Sequence, residues 1–267
     1  MRFSEMRRPL GRTLALAAIA LVALLTFGVA SAQSAQPPGI TTEAHEMHKL
    51  YLFVVAMGGV VFLLVEAALV FAIIRFRKRS DALPVQTHGS TLVEFLWTGI
   101  PVVIVIALFS YSFIVLRDVE HKENPKDLTV SVEGFQFQWA FTYNMNDLGA
   151  NSDLAAAGKF TVTGTAAKEP TLVIPVNEPV EFTLKSNDVI HSFYVRDFLY
   201  KLDVIPGRDN KFTITARETG TFIGQCAELC GLNHALMRFN VQVVDRPAFD
   251  KWVADQAAGS KAVQQPR

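Results

Sequence analysis

Cysteine is scarce in this chain. Among 267 residues there are only two, Cys226 and Cys230. A multi-disulfide scaffold is therefore excluded, and with no C-x-x-C-H motif there is no fused c-type haem domain. Charge of one sign is also lacking: the formal net charge is zero, and no basic patch suggests nucleic acid. What is abundant is apolar sequence, half of all residues, and it is unevenly spread.

The first 32 residues combine a basic stretch (Arg2, Arg7, Arg8, Arg12), an apolar core and Ala30-Ser31-Ala32. That order predicts an export signal over residues 1–32, and no cysteine near the cleavage site indicates a lipid anchor. Residues 33–117 then contain two apolar runs, about 50–74 and 92–116, each long enough to cross a bilayer. Glu66 and Glu94 are the acids within them. Arg75, Arg77, Lys78 and Arg79 follow the first run and predict a cytoplasmic connection. Everything after about residue 117 is then extracytoplasmic, and the bilayer is the chain's first partner. Over residues 118–250, eighteen Asp and Glu stand against twelve Lys and Arg, an acidity suited to steering a basic partner or to solubility alone.

Within an outer domain of residues 118–250, residues 127–247 read as β-structure. In DLTVSVEGFQFQWAFTY apolar and polar residues alternate, and further strand patterns occur in TLVIPVNEPVEFTLKSND, KFTITARETGTFIGQC and RFNVQVVD. No helix-period segment interrupts them, so a small antiparallel sandwich or Greek-key barrel is expected. The small, polar, Gly-rich stretch DLGANSDLAAAGKFTVTGTAAKEP reads as a loop excursion. Residues 251–267 form a C-terminal tail expected to make a short, fraying helix.

Both cysteines fall in CAELCGLNHALM, residues 226–237, together with His234 and Met237. A helical core stripe, a disulfide, a redox-active pair and a soft-metal site all fit some of this stretch. Gly220, Gly224 and Gly231 surround the thiols between two strand patterns, which favours a loop over a helix. A disulfide closing so short a loop gains little and leaves His234 and Met237 unexplained. Thiolate, imidazole and thioether together suit copper, and His191 in SNDVIHSFYV supplies a second imidazole. One Cys, two His and a Met describe a mononuclear copper site; a second thiolate allows two coppers to be bridged.

C-x-E-x-C-x3-H-x2-M, with D-V-I-H-S-F upstream and D-V-I-P-G-R (203–208) between, resembles subunit II of haem–copper cytochrome c oxidase. The likeness runs from the first membrane segment to about residue 253. It implies a membrane-anchored all-β protein: a two-helix transmembrane hairpin followed by a cupredoxin-like Greek-key sandwich or barrel. It further implies a binuclear copper centre, CuA, held by His191, Cys226, Cys230, His234, Met237 and the backbone carbonyl of Glu228. The Glu228 carboxylate would help hold magnesium at the interface with subunit I. Glu94 matches an acid at a proton-path entrance, and Asp203 an acid used in docking cytochrome c.

The resemblance therefore implies an electron-input role in an aerobic, proton-translocating terminal oxidase of a bacterial inner membrane. Electrons would come from cytochrome c and pass to haem in subunit I, where oxygen is reduced, among other oxidase subunits. The family's G-H-Q-W-Y-W stretch, whose first Trp receives the electron, is Gly134-Phe135-Gln136-Phe137-Gln138-Trp139 here. Phe137 occupies the receiving position and Trp139 that of the second Trp. Among rivals, a quinol oxidase subunit would lack the copper ligands. A membrane-tethered copper chaperone or thiol oxidoreductase using the C-x3-C pair would show βαβ alternation.

Overall fold

The computed structural model describes residues 38–78, 86, 88–120, 128–145, 157–165 and 168–264. The segment read as an export signal, Arg79 and His121 lie outside them. Two long helices come first, α1 (Thr42–Arg75) and α2 (Thr91–Val119). Their exposed faces are apolar, with Leu63, Leu64, Phe71, Phe95, Val103 and Phe109 all open, as expected of surfaces solvated by lipid. The Phe53 and Tyr111 rings meet edge to face at 5.0 Å, near the start of α1 and the end of α2, so the pair is an antiparallel hairpin.

Helix α1 begins eight residues before the apolar run because Thr41 caps it, its hydroxyl accepting from Ala44 N at 3.0 Å. Its 34 residues span about 51 Å, well beyond a hydrocarbon core of about 30 Å. The surplus is used at the N-terminal end, where the helix grips the β-domain. Ile40 N donates to Asp197 O at 2.8 Å, Arg217 N to Ile40 O at 2.7 Å, and Thr215 N to Glu43 Oε2 at 3.1 Å. Burial, partly offset by that hydrogen bond, raises the Glu43 pKa above the usual carboxylate value.

The β-domain packs two five-stranded sheets. One runs β3 (Lys159–Thr163), β2 (Gln138–Asn144), β1 (Leu128–Phe135), β5 (Pro179–Ser186), β8 (Asn210–Thr215). The other runs β4 (Thr171–Pro175), β10 (Arg238–Val244), β9 (Gly220–Cys226), β6 (His191–Val195), β7 (Tyr200–Val204). Between them lies an aromatic core of Trp139, Phe141, Phe182, Phe193, Phe212 and Phe239, all fully buried. Ring centroids of Phe182–Phe212 and Phe193–Phe239 are 4.9 and 5.0 Å apart, stacked offsets that add to the area buried.

Three expectations need correction. The sandwich is not purely antiparallel, because β1 pairs with β5 and β10 with β4 in parallel register. Alternating burial is the same in both arrangements, so the pattern could not distinguish them. The stretch read as a loop excursion contains β3, an edge strand with a single buried residue, Phe160. Phe160 stacks on Tyr143 at 5.1 Å. The last helix, α3, spans Arg246–Gln264 and so starts within the stretch counted with the sandwich. It buries Phe249 and Val253 and seats Trp252 against Tyr143 at 5.0 Å. Arg246 ties its first turn to Glu178 (2.8 Å) and Asp250 (2.6 Å).

Candidate metal centre

The donor set gathers where two neighbouring strands end. His191 opens β6 and Cys226 closes β9, and these strands pair antiparallel with Phe193 opposite Cys226. The chain then loops out through Cys230 and a single 3-10 turn, His234–Leu236, before β10. Cys226 N donates to Met237 O at 3.0 Å and Ala227 N to Ser192 O at 3.0 Å, closing the loop at its base. A continuous helix would have spread the donors along one face; the closed loop folds them inward.

The cysteines are free, buried thiols with sulfurs 3.9 Å apart. His191 Nδ1 lies 3.9 Å from Cys226 Sγ, and the Glu228 carbonyl oxygen 3.2 Å from the same sulfur. At the other end, Cys230 Sγ has His234 Nδ1 at 3.7 Å and Met237 Sδ at 3.8 Å. Each sulfur thus has its own imidazole and its own weak donor. Ligand atoms of His191, Cys226 and Cys230 all fall within 4.8 Å of one another.

The thiols are unequal. Burial disfavours the Cys226 thiolate, but hydrogen bonds from His191 and from the backbone at Glu228 and Ser192 outweigh it and bring the thiol down to about 6. Burial and the neighbouring Cys226 push Cys230 up to about 12.

Two residues that the sequence reading passed over complete the site. Asp188 Oδ1 accepts from His191 Nε2 at 2.9 Å and Val189 N at 2.6 Å, while Oδ2 accepts from Gln136 N at 2.7 Å. Burial opposes the charge of Asp188, yet these hydrogen bonds hold its carboxyl at about 2. With Nε2 donating to a carboxylate, the His191 Nδ1 lone pair faces the sulfurs, the arrangement that orients a metal-ligating histidine. Gln136 Nε2 donates to Cys230 O at 2.6 Å. Both lie in the stretches that carry the resemblance, Asp188 opening D-V-I-H-S-F and Gln136 standing at the Gln of G-H-Q-W-Y-W, but nothing in residue type or spacing marks their bonds to the site. Gly134 lets the turn approach, since a Cβ there would lie 3.2 Å from the His191 ring.

The other sequence candidates are scattered. Trp139 is fully buried beneath the site, its Nε1 3.4 Å from Met237 O and its ring centroid 6.2 Å from that of His191. Phe137 is half-buried against the core. The Glu228 and Asp203 carboxylates are both half-exposed and share Lys201 Nζ, at 3.8 and 3.5 Å. Glu94 stands in the first turn of α2, exposed and apart from the metal loop.

Comparison with known proteins agrees along the chain. The family model for the cytochrome c oxidase subunit II periplasmic domain matches residues 128–244, and that for its transmembrane domain matches residues 25–115. A probable cytochrome c oxidase subunit 2 of Rickettsia bellii is 34% identical over 224 residues, 83% of this chain and 82% of that protein. The cytochrome c oxidase subunit 2 of Cereibacter sphaeroides is 32% identical over 83% of this chain and 79% of its own length. Among solved structures, the periplasmic domain of subunit II of cytochrome oxidase (CoxB) of Bradyrhizobium japonicum is 32% identical. It covers 50% of this chain and 96% of that one, with a TM-score of 0.42. With both of its segments matched by the family's models and a relative 34% identical over most of its length, the chain belongs to the cytochrome c oxidase subunit II family.

Proposed function

We propose that this chain is the electron-input subunit of a respiratory terminal oxidase. It accepts electrons one at a time from a c-type cytochrome at a binuclear copper centre. It passes them to haem in subunit I, where oxygen is reduced to water with proton translocation. The observation that carries this reading is the paired donor set: two unlinked thiols 3.9 Å apart, each with its own imidazole and weak donor. A disulfide-exchange site has no use for the second half of that description.

Cys226, Cys230, His191, His234, Met237 and the Glu228 carbonyl would hold the copper pair, with the two thiolates shared between the ions. A thiolate-bridged copper pair supplies a one-electron couple in which the charge is shared. The protein's part is rigidity and dryness. Asp188 fixes the His191 ring, the strand ends fix the loop, and Trp139, Phe193 and Phe239 exclude water from beneath it. The copper chaperone or thiol oxidoreductase reading finds no support in two packed sheets without helical crossovers among the described residues.

Several finer assignments follow from the family. The half-exposed Glu228 carboxylate is available to magnesium shared with subunit I, Asp203 to a docking cytochrome, and Glu94 to a proton path. The hairpin sits in a bacterial inner membrane, its export signal over residues 1–32, with the copper domain on the outer side. To test the function, the chain is co-expressed with its haem-bearing partner and the purified complex is given reduced cytochrome c. Oxygen uptake is expected from the native complex and none from a Cys230→Ser complex that still binds haem. Equal uptake by both would contradict the proposal.

A further inference from the structure

An electron arriving from outside must cross from the protein surface to thiols that are almost wholly enclosed, Cys230 being 4% exposed. Trp139 cannot receive it at the surface, because it has no exposed atoms. Phe137 reaches the metal loop only by packing: a Cβ on Gly231 would lie 3.0 Å from its Cε1, and a phenyl ring has no N–H to bond the backbone it covers. Its neighbour Gln136 does both. It is exposed on the β1–β2 turn, and its side-chain amide donates to the Cys230 carbonyl at 2.6 Å.

We propose that Gln136 is the bridge by which electrons enter. The hydrogen bond from its Nε2 to Cys230 O, rather than the Phe137 ring, couples the donor-facing surface to the thiolates. This rests on the electron-input reading above. Electronic coupling decays far more steeply across a van der Waals gap than along covalent and hydrogen bonds, so a bonded path wins over a packed one of similar length. From Gln136 the path to Cys230 Sγ is one hydrogen bond followed by the residue's own covalent skeleton. A second branch leaves the same residue, since Gln136 N donates to Asp188 and Asp188 accepts from His191 Nε2. One surface residue therefore touches both halves of the donor set. The step moves one electron from a ferrous c-type haem, which becomes ferric, to the copper pair, which is reduced by one; no bond breaks and no proton moves.

The local sequence is fitted to this contact. Gly231 has φ +137, and a Cβ there would meet Gln136 Nε2 at 3.0 Å, so a side chain at this position strains the backbone and displaces the amide from the Cys230 carbonyl.

The test uses the assembled oxidase and a photo-triggered, ruthenium-modified cytochrome c as donor. Inbound transfer to copper and onward transfer to haem are timed separately. The electron paramagnetic resonance spectrum and the reduction potential of the copper centre are recorded alongside. Gln136→Ala is expected to slow inbound transfer by roughly an order of magnitude while onward transfer, spectrum and potential stay as in the native complex. Phe137→Leu should slow it less than Gln136→Ala does. The proposal is overturned if Gln136→Ala leaves inbound transfer unchanged, or if Phe137→Leu slows it as much or more. It is equally overturned if Gln136→Ala alters spectrum and onward transfer in step with inbound transfer, which would make Gln136 a loop prop. A native complex that takes no electron from the cytochrome would instead refute the electron-input reading itself.

Discussion

Replacing Asp188 by Asn removes one charge and one oxygen from a group that uses both oxygens as acceptors. Oδ1 receives His191 Nε2 and Val189 N, and Oδ2 receives Gln136 N. A carboxamide can keep one of these sets; its NH2 must then face the donors of the other. If the oxygen stays with His191, the amide opposes Gln136 N, and if it turns, the imidazole loses its acceptor. A charge-assisted hydrogen bond contributes about 1.5–3 kcal/mol, equivalent to roughly 10–100-fold in an equilibrium constant. Loss of an outer partner of a metal-bound histidine costs about 10–100-fold in metal affinity, so two independent lines give the same range. The assay is competition for copper against a chelator of known affinity, with the paramagnetic spectrum recorded at saturation. Asp188→Asn should bind about 10–100-fold more weakly while remaining folded. Unchanged affinity with an unchanged spectrum would refute the claim that Asp188 orients His191.

Tyr143→Phe should destabilise the β-domain by about 2–6 kcal/mol in urea unfolding, because the buried phenol donates to Val173 O (2.9 Å) and accepts from Val173 N (2.8 Å), and each orphaned group costs about 1–3 kcal/mol. Cys226→Ser leaves a single thiolate that cannot complete a doubly bridged pair, so copper analysis should find at most one ion per chain, with hyperfine splitting from one nucleus. Glu228→Gln should leave copper content unchanged, since only the backbone carbonyl of that residue faces Cys226; loss of copper would show that the carboxylate holds the site. Gly224→Ala should destabilise by about 1–3 kcal/mol in the same urea experiment, because the Phe239 ring occupies the space its Cβ would fill.

The parts legible in sequence were those encoded by contiguous pattern. Two long apolar runs have one stable solution in lipid, and five of the six metal donors lie within residues 226–237. His191 stands far from the other donors in the chain, and the fold brings it beside Cys226 because β6 and β9 are neighbours. Illegible were features that depend on partners distant in the chain. The β1–β5 and β10–β4 pairings share their burial rhythm with antiparallel strands. Edge strand β3 buries one residue and carries too little apolar signal to stand out. Asp188 and Gln136 stand within the motif stretches, but their bonds to His191 and Cys230 show only when the β1–β2 turn is seen against the metal loop, 94 residues away along the chain. The Ala, Gln and Lys content of residues 251–267 suggests a fraying helix, and the anchor that holds α3 down, Phe249, lies just ahead of that stretch.

The most direct test of the account is copper per chain together with the electron paramagnetic resonance spectrum of the purified protein. The paired donor set predicts two coppers sharing one unpaired electron, with hyperfine splitting from both nuclei. One copper per chain with splitting from a single nucleus, or a Cys226–Cys230 disulfide that excludes copper, would contradict it.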